Sequence, residues 1–257
     1  IINIYNNFMF NLKKFRRAFA RRLIGNRFDL AYHFCKGSGI EIGAMSSPYL
    51  GFSSSTKVQY ADIFTSSKLR SIISSLNVKG MYKKEIVNTD ILLKAPSYSL
   101  NEIIEEKVDF IYSSNVFEHS SNPIFSLLDQ LKSVVIGGIV YLVVPNKKNT
   151  YDRNRSTTSI KILVEKYEEN IFTNSINEAL DVIINTDVHP VYDLYKKDAK
   201  KYAKDMIEKK EGIHHYYTYE LTNILELLNY AKKIQNFEIL YVSADVVNDM
   251  HIALKRT

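Results

Sequence analysis

The sequence predicts an α/β fold: a mostly parallel, seven-stranded sheet with helices on both faces and a terminal antiparallel β-hairpin. Three observations predict it. From residue 38 to 146, short apolar runs of strand type alternate with amphipathic runs of helix type. The stretch "VIGGIVYLVVP" (135–145) ends in an apolar run of the kind buried on both faces. The C-terminal stretch "FEILYVSADVVNDMHIALKR" (237–256) reads as two strands around a short Asn-Asp turn.

Each element has its own local reason. Strands are expected at 39–42, 57–61, 84–88, 108–113 and 139–144, where β-branched and aromatic residues cluster between turn residues. Helices are expected at 67–76, 100–106 and 123–135. Ser99 with Glu102 forms the sequence of a capping box. Gly137 and Gly138 read as a helix stop before the fifth strand. Residues 147–217 break the rhythm with polar, helical patterns at 159–169, 176–184 and 192–209. An amphipathic helix at 218–234 then leads into the hairpin. The reading is a single domain, 37–257, with a substrate-binding insertion at 147–217. It is preceded by an N-terminal basic helical segment, 1–36.

That segment contains "LKKFRRAFARRLIGNRF" (12–28), with Leu12, Phe15, Phe19 and Leu23 at helical spacing. Either it packs its apolar face on the domain, or it touches an anionic surface such as a membrane or nucleic acid. The chain has 257 residues, 46% of them hydrophobic, enough for a sizeable core, and a formal net charge of +6. A lone cysteine, Cys35, excludes an internal disulfide and any multi-cysteine metal site. No apolar run approaches the ~20 residues that span a bilayer. The start lacks a basic segment ahead of its apolar residues and lacks Met, so a cytoplasmic protein, given as a piece of its gene product, is expected.

The opening of the first strand, "GSGIEIGAMSSPYL" (37–50), sets a glutamate in an apolar run that stops on glycine. Burying an unpaired carboxylate is costly, so Glu41 sits at an open strand end or its charge is wanted. In open α/β sheets ligands bind at the carboxyl ends of the strands, where the strand order reverses. Gly43 lets backbone approach a ligand there. Asp62 falls 21 residues after Glu41, close to the spacing of an acid that binds a ribose diol. Asp90 ends the third expected strand, and Ser114 and Asn115 end the fourth. Each alone could be a cap; their repetition at one end of the sheet points to a ligand. A G-x-G-x-x-G phosphate loop is absent. A ligand with ribose and adenine but no phosphate, such as S-adenosylmethionine, needs fewer glycines.

"GIEIGAMSSPYL", "VQYADI", "VDFIYSSNVFEHSSNP" and "LLDQLKSVVIGGIVYLVVPN" resemble, in order and spacing, the motifs of class I S-adenosylmethionine-dependent methyltransferases. The resemblance covers roughly residues 37–146 and implies a Rossmann-like fold. "YDRNRSTTS" and "GIHHYYTYEL" look like pieces of methyltransferases from bacterial surface-polysaccharide (capsule or lipopolysaccharide) gene clusters. The resemblance implies that Glu41, Gly43 and Ala44 line the methionine end of the cofactor and that Asp62 binds its ribose. It implies that Asp90 lies near the adenine edge and that Ser114 and Asn115 face the methyl group. The departure is Ala44-Met45 where a second glycine is usual. S-adenosylhomocysteine would be the product.

An alcohol nucleophile wants a base titrating near neutrality, which makes histidine the first candidate. His119, beside the methyl-facing loop, and His214 and His215, where the insertion returns to the core, are the candidates; His119 could equally be a packing residue. "YDRNR" follows the fifth strand, so Tyr151, Arg153 and Arg155, with Tyr216, are expected to bind the acceptor, the arginines clamping an anion; Asp152, able to accept from a substrate hydroxyl, joins the three histidines as a candidate catalytic residue. A local Asp–Arg pair is the alternative. Beyond "DVH" (Asp187, His189) no close metal-ligand spacing occurs, so no metal site is expected. The function expected is methyl transfer to a small polar acceptor, an oxygen of a sugar or phosphorylated glycan precursor. The alternatives are a nucleic-acid methyltransferase, which the net charge favours, and a non-catalytic domain of the same fold. Against the first, the Asn/Asp-Pro-Pro-aromatic motif of base-methylating enzymes is missing.

Overall fold

The computed structural model describes residues 27–75, 85–94, 99–187, 189–209, 214–246 and 249–257. Among them one sheet contains strands β1 (Ser38–Ile42), β2 (Lys57–Asp62), β3 (Ile91–Leu92), β4 (Val108–Ser114), β5 (Val134–Pro145), β6 (Phe237–Val246) and β7 (Asp249–Arg256). Their order across the sheet is β3-β2-β1-β4-β5-β7-β6. β1 to β5 run parallel, and β7 is antiparallel to both β5 and β6. The chain thus steps outward from β1 to β3, then returns to lay β4 on the other side of β1. The strand order reverses between β1 and β4, the place where open α/β sheets bind ligands at the carboxyl ends of their strands. This is the Rossmann-like, seven-stranded architecture with a terminal hairpin that the sequence predicts.

Both faces of the sheet are buried. On one face Ile40, Ile42, Ile111, Val140, Leu142 and Ile252 pack under α4 (Pro123–Ser133) and α9 (Leu221–Ile234). On the other, α1 (Arg27–Phe34) sets Ala31, with Cys35 just beyond it, against Phe110, Tyr112, Tyr141 and Ala253. Short helices α2 (Ser66–Ser75) and α3 (Leu100–Ile103) complete the first half. The basic stretch at 12–26 lies outside the described residues. No described helix is long and apolar enough to cross a membrane.

Three local expectations are corrected by tertiary partners. The strand expected at 84–88 is absent from its described residues, 85–88; β3 is the two-residue Ile91–Leu92, and Asp90 stands at its start instead of its end. There the Asp90 carboxylate accepts from Tyr60 N at 2.8 Å, which ties β3 to β2. Ser99 makes no side-chain cap for α3; Asp129 of α4 does so, its Oδ2 accepting from Leu100 N at 2.7 Å. Gly137 and Gly138 do not stop a helix: α4 ends at Ser133 and both glycines lie inside β5. They sit where the β4–β5 register jumps from Val108↔Val134 to Phe110↔Ile139. A Cβ on Gly138 would fall 2.9 Å from Val135 O and 3.0 Å from Asp109 O, so the bulge demands glycine.

The insertion forms α5 (Ile160–Glu168), α6 (Ile176–Asn185), α7 (Pro190–Tyr195) and α8 (Ala199–Lys209). Ser159 caps α5 through Lys161 N, and Ser175 with Glu178 makes a complete capping box on α6. The helix expected at 192–209 is broken by a 3-10 turn at Lys196–Asp198. Leu163, Ala179, Val182, Ile183 and Met206 join the same core as the sheet residues. At the carboxyl end of β5, Lys147 N donates to Tyr219 O at 2.9 Å, so both ends of the insertion meet there.

Candidate active site

The carboxyl ends of β1, β2 and β4 form the expected polar rim. Glu41 is only 2% exposed, yet its carboxylate is held: both oxygens accept from Tyr49 N, at 2.9 and 3.2 Å. That bond draws the loop after β1 back over the strand, and the Tyr49 ring stacks on Tyr112 at 4.9 Å. Burial still pushes the Glu41 carboxyl up to about 7. Gly43 adopts φ +73, and a Cβ there would fall 2.5 Å from Val116 Cγ2. Its missing side chain therefore lets the loop after β4 close on β1. Ala44 is buried beside it. Asp62 is nearly buried; its Oδ1 accepts from Phe64 N at 3.0 Å, and burial raises its carboxyl. Ser114 is half-buried, and Asn115 is exposed in a left-handed conformation, φ 54. Asp90, at the start of β3, is tied to β2 through Tyr60 N, two residues before the level of Asp62.

Directly after Asn115, the 3-10 turn Phe117–His119 carries a second polar group. Glu118 is 1% exposed, and neither of its oxygens has a hydrogen-bond partner. The ring nitrogens His215 Nε2 and His119 Nε2 lie 3.5 and 3.7 Å from Glu118 Oε1. The two imidazoles meet edge to face, centroids 4.8 Å apart. His215 Nδ1 lies 2.7 Å from Asp152 Oδ2, and Tyr151 OH lies 2.8 Å from His215 Nε2. His119 Nδ1 donates to the His214 carbonyl at 3.0 Å.

Burial sets the protonation states. It pushes Glu118 up to about 7. It pushes His119 down to about 3, with His215 acting in the same direction. His214 is pushed down to about 4, by burial and then by the neighbouring histidines. For Asp152 burial acts upward, but its hydrogen bond with His215 and the nearby Arg155 outweigh it, so the carboxyl is held below its ordinary value. An ionised Asp152 only accepts, so His215 Nδ1 carries the proton between them.

The expected substrate clamp is corrected in part. Arg155 is a buried tie, not a free anion site. Its guanidinium donates to Asp181 and Asp152, each at 2.8 Å, to Tyr216 O at 2.9 Å, and to the His215 carbonyl. Every nitrogen of the fork is engaged by this chain. Arg153 is exposed and pairs with Asp187. Tyr216 is buried in the core instead of lining an opening. His214 is buried as well, with Tyr192 OH 2.8 Å from its Nδ1. Of the four expected catalytic residues, His119, His215 and Asp152 converge, and His214 serves through its carbonyl. Sequence reasoning missed Glu118 as their centre. The available signal was the adjacent pair "EH" on the loop after β4, set against the later pair "HH".

No family model and no curated protein matches this sequence. Solved structures do resemble it. The plantazolicin methyltransferase BamL, solved with a triazolic desmethylPZN analog and SAH, is 12% identical. The match covers 93% of this chain and 84% of that one, TM-score 0.47. A SAM dependent methyltransferase from Aquifex aeolicus is 13% identical over 92% of this chain and 93% of that one, TM-score 0.45. The CurJ carbon methyltransferase is 13% identical over 87% of this chain, TM-score 0.43, and the chain spans 49% of its length.

Proposed function

We propose that this chain is an S-adenosylmethionine-dependent methyltransferase acting on a small polar acceptor. The observation that carries the reading is two polar groups at the carboxyl ends of neighbouring strands, where the strand order reverses. Glu41 and Asp62 lie at the carboxyl ends of β1 and β2, beside the reversal of strand order. The Glu118, His119, Asp152 and His215 group lies just past the end of β4. The first group suits the cofactor: an acid for the ribose diol and a buried carboxylate for the cationic methionine end. When bound, S-adenosylmethionine supplies a methyl group on a sulfonium, open to in-line displacement.

The chain's own residues do the rest. Asp62 holds and orients the ribose, with Oδ1 fixed by Phe64 N at 3.0 Å. Ser114 and Asn115 border the place where acceptor and methyl meet, and orientation there supplies much of the acceleration. The group around Glu118 lowers the cost of removing the acceptor's proton. Of the insertion residues expected at the acceptor, Tyr151 is partly exposed and Arg153 is exposed beside Asp187. They suit a hydroxylated, anionic molecule, such as a sugar or a phosphorylated precursor of a surface glycan. The net charge of +6 favours a polynucleotide acceptor as the second reading; retention on heparin that falls steeply with salt would support it.

Calorimetry with S-adenosylhomocysteine tests the proposal. The wild-type chain should bind it at one site, and Asp62→Ala should weaken binding by about ten- to a hundredfold, on the order of 1–3 kcal/mol. Unchanged affinity removes Asp62 from the site, and no binding to the wild type overturns the reading.

A further inference from the structure

We propose that Glu118, His119 and His215 form a site for a divalent first-row transition-metal ion of the Zn²⁺ kind. The hydrogen bonds fix which way each imidazole faces. His119 gives its Nδ1 proton to the His214 carbonyl at 3.0 Å, and His215 gives its own to Asp152 Oδ2 at 2.7 Å. Carbonyl and carboxylate oxygens only accept, so in the neutral rings both Nε2 atoms carry lone pairs. Both lone-pair nitrogens lie against one carboxylate oxygen, at 3.7 and 3.5 Å. That carboxylate is buried with no hydrogen-bond donor on either oxygen. Tyr151 OH serves His215 Nε2 at 2.8 Å, but the carboxylate that faces the two imidazole nitrogens has no donor of its own, and a buried carboxylate set among imidazole nitrogens suits a cation.

The outer contacts are those of a metal centre. A ligating histidine commonly donates its other N–H to a carboxylate or a backbone carbonyl, which fixes the tautomer and strengthens the ligand. Asp152 and the His214 carbonyl fill these two roles here. The ligand atoms come from two segments that are tied together: Tyr217 N donates to Glu118 O at 3.4 Å, and Tyr217 OH to Ser121 O at 3.1 Å. All three ligand atoms lie within 4.8 Å of one another. Bonds of about 2.0–2.2 Å place tetrahedral ligands roughly 3.4 Å apart, so side-chain shifts of about 1 Å close the site. Tyr151 OH, 2.8 Å from His215 Nε2, must yield that lone pair when the ion enters.

Two imidazoles and one carboxylate suit Zn²⁺ and its neighbours, whereas Mg²⁺ and Ca²⁺ prefer all-oxygen sets. Three protein ligands leave a position for water or for an acceptor hydroxyl, whose proton the ion would make easier to lose. Ion binding stands on the geometry alone; only this last role rests on the methyl-transfer reading.

The test is a calorimetric titration of ZnCl₂ into chelator-stripped, full-length chain, with the absorption bands of bound Co²⁺ as a second readout. One ion per chain is expected. Glu118→Gln and His119→Ala should each weaken binding by about a hundredfold or more, and Asp152→Asn by roughly ten- to a hundredfold. Thermal melts of the ion-free variants identify any that fail to fold, and the remaining ones decide. Absence of a saturable one-to-one site, or unchanged affinity in the folded variants of Glu118 and His119, overturns the proposal. Either result leaves the S-adenosylhomocysteine test untouched.

Discussion

Glu41 and Glu118 are two buried glutamates at the carboxyl ends of neighbouring strands, 2% and 1% exposed, each pushed up to about 7 by burial. Glu41 accepts from Tyr49 N with both oxygens; Glu118 accepts from nothing. The first carboxylate is part of the fold, closing a loop through a backbone N–H. The second is surrounded by histidine nitrogens that also want a cation. Burial alone does not separate a carboxylate already tied to a backbone N–H from one without any donor; the inventory of donors around it does.

The largest effect that would sharpen this contrast is at Arg155, whose guanidinium is fully engaged by Asp152, Asp181 and two carbonyls. Arg155→Met should cost about 3–5 kcal/mol, because it removes the guanidinium from buried Asp152 and from the His215 and Tyr216 carbonyls at once. A denaturant melt checks this; a loss under about 1 kcal/mol would mean the insertion is not held together here.

Next comes the pair of glutamates. Glu41→Met removes the carboxylate that accepts from Tyr49 N and should cost about 1–3 kcal/mol, whereas ion-free Glu118→Met should stay within about 1 kcal/mol of wild type. Equal losses would break the contrast.

A third prediction uses pH. Glu41 is raised from its ordinary 4.5 to about 7 by burial. Its protonated form is therefore favoured in the fold. Its contribution to ligand-free stability is complete below about 4.5 and is lost as pH rises through about 7. Cofactor binding runs the opposite way, because a cationic ammonium favours the ionised carboxylate. Affinity for S-adenosylhomocysteine should rise about tenfold from pH 6 to pH 8, and Glu41→Gln should flatten that slope. An identical slope in the variant assigns the pH dependence elsewhere.

The smallest effect is at Arg153, an exposed arginine paired with Asp187. Arg153→Ala should change stability by less than about 0.5 kcal/mol and leave S-adenosylhomocysteine affinity unaltered.

Most of the architecture was legible because β1, β2, β4 and β5 each repeat an apolar strand pattern at βαβ spacing. What was not legible depended on partners distant in sequence. "EIVNTD" has strand composition, but Asp90 spends its carboxylate on Tyr60 N, and pairing starts only after it. Gly137 and Gly138 fit a helix stop as well as a bulge, and only the register against Asp109 decides between them. At the site, the residue types were visible and their states were not. Asp152 and His215 stand at opposite ends of the insertion, and nothing local says that they touch. Arg155 reads as a free cation until its four acceptors are in place. Glu118 reads as a surface acid until the turn that carries it is buried under residues 214–217.

The sharpest test of the two-carboxylate contrast is a crossed titration of S-adenosylhomocysteine and Zn²⁺ into Glu41→Gln and Glu118→Gln. Glu41→Gln should weaken S-adenosylhomocysteine by about tenfold at pH 8 and leave Zn²⁺ affinity unchanged. Glu118→Gln should do the reverse, weakening Zn²⁺ by about a hundredfold or more. If each variant weakened both ligands alike, or neither, the two buried glutamates would not serve separate cations, and the assignment drawn from them would be wrong.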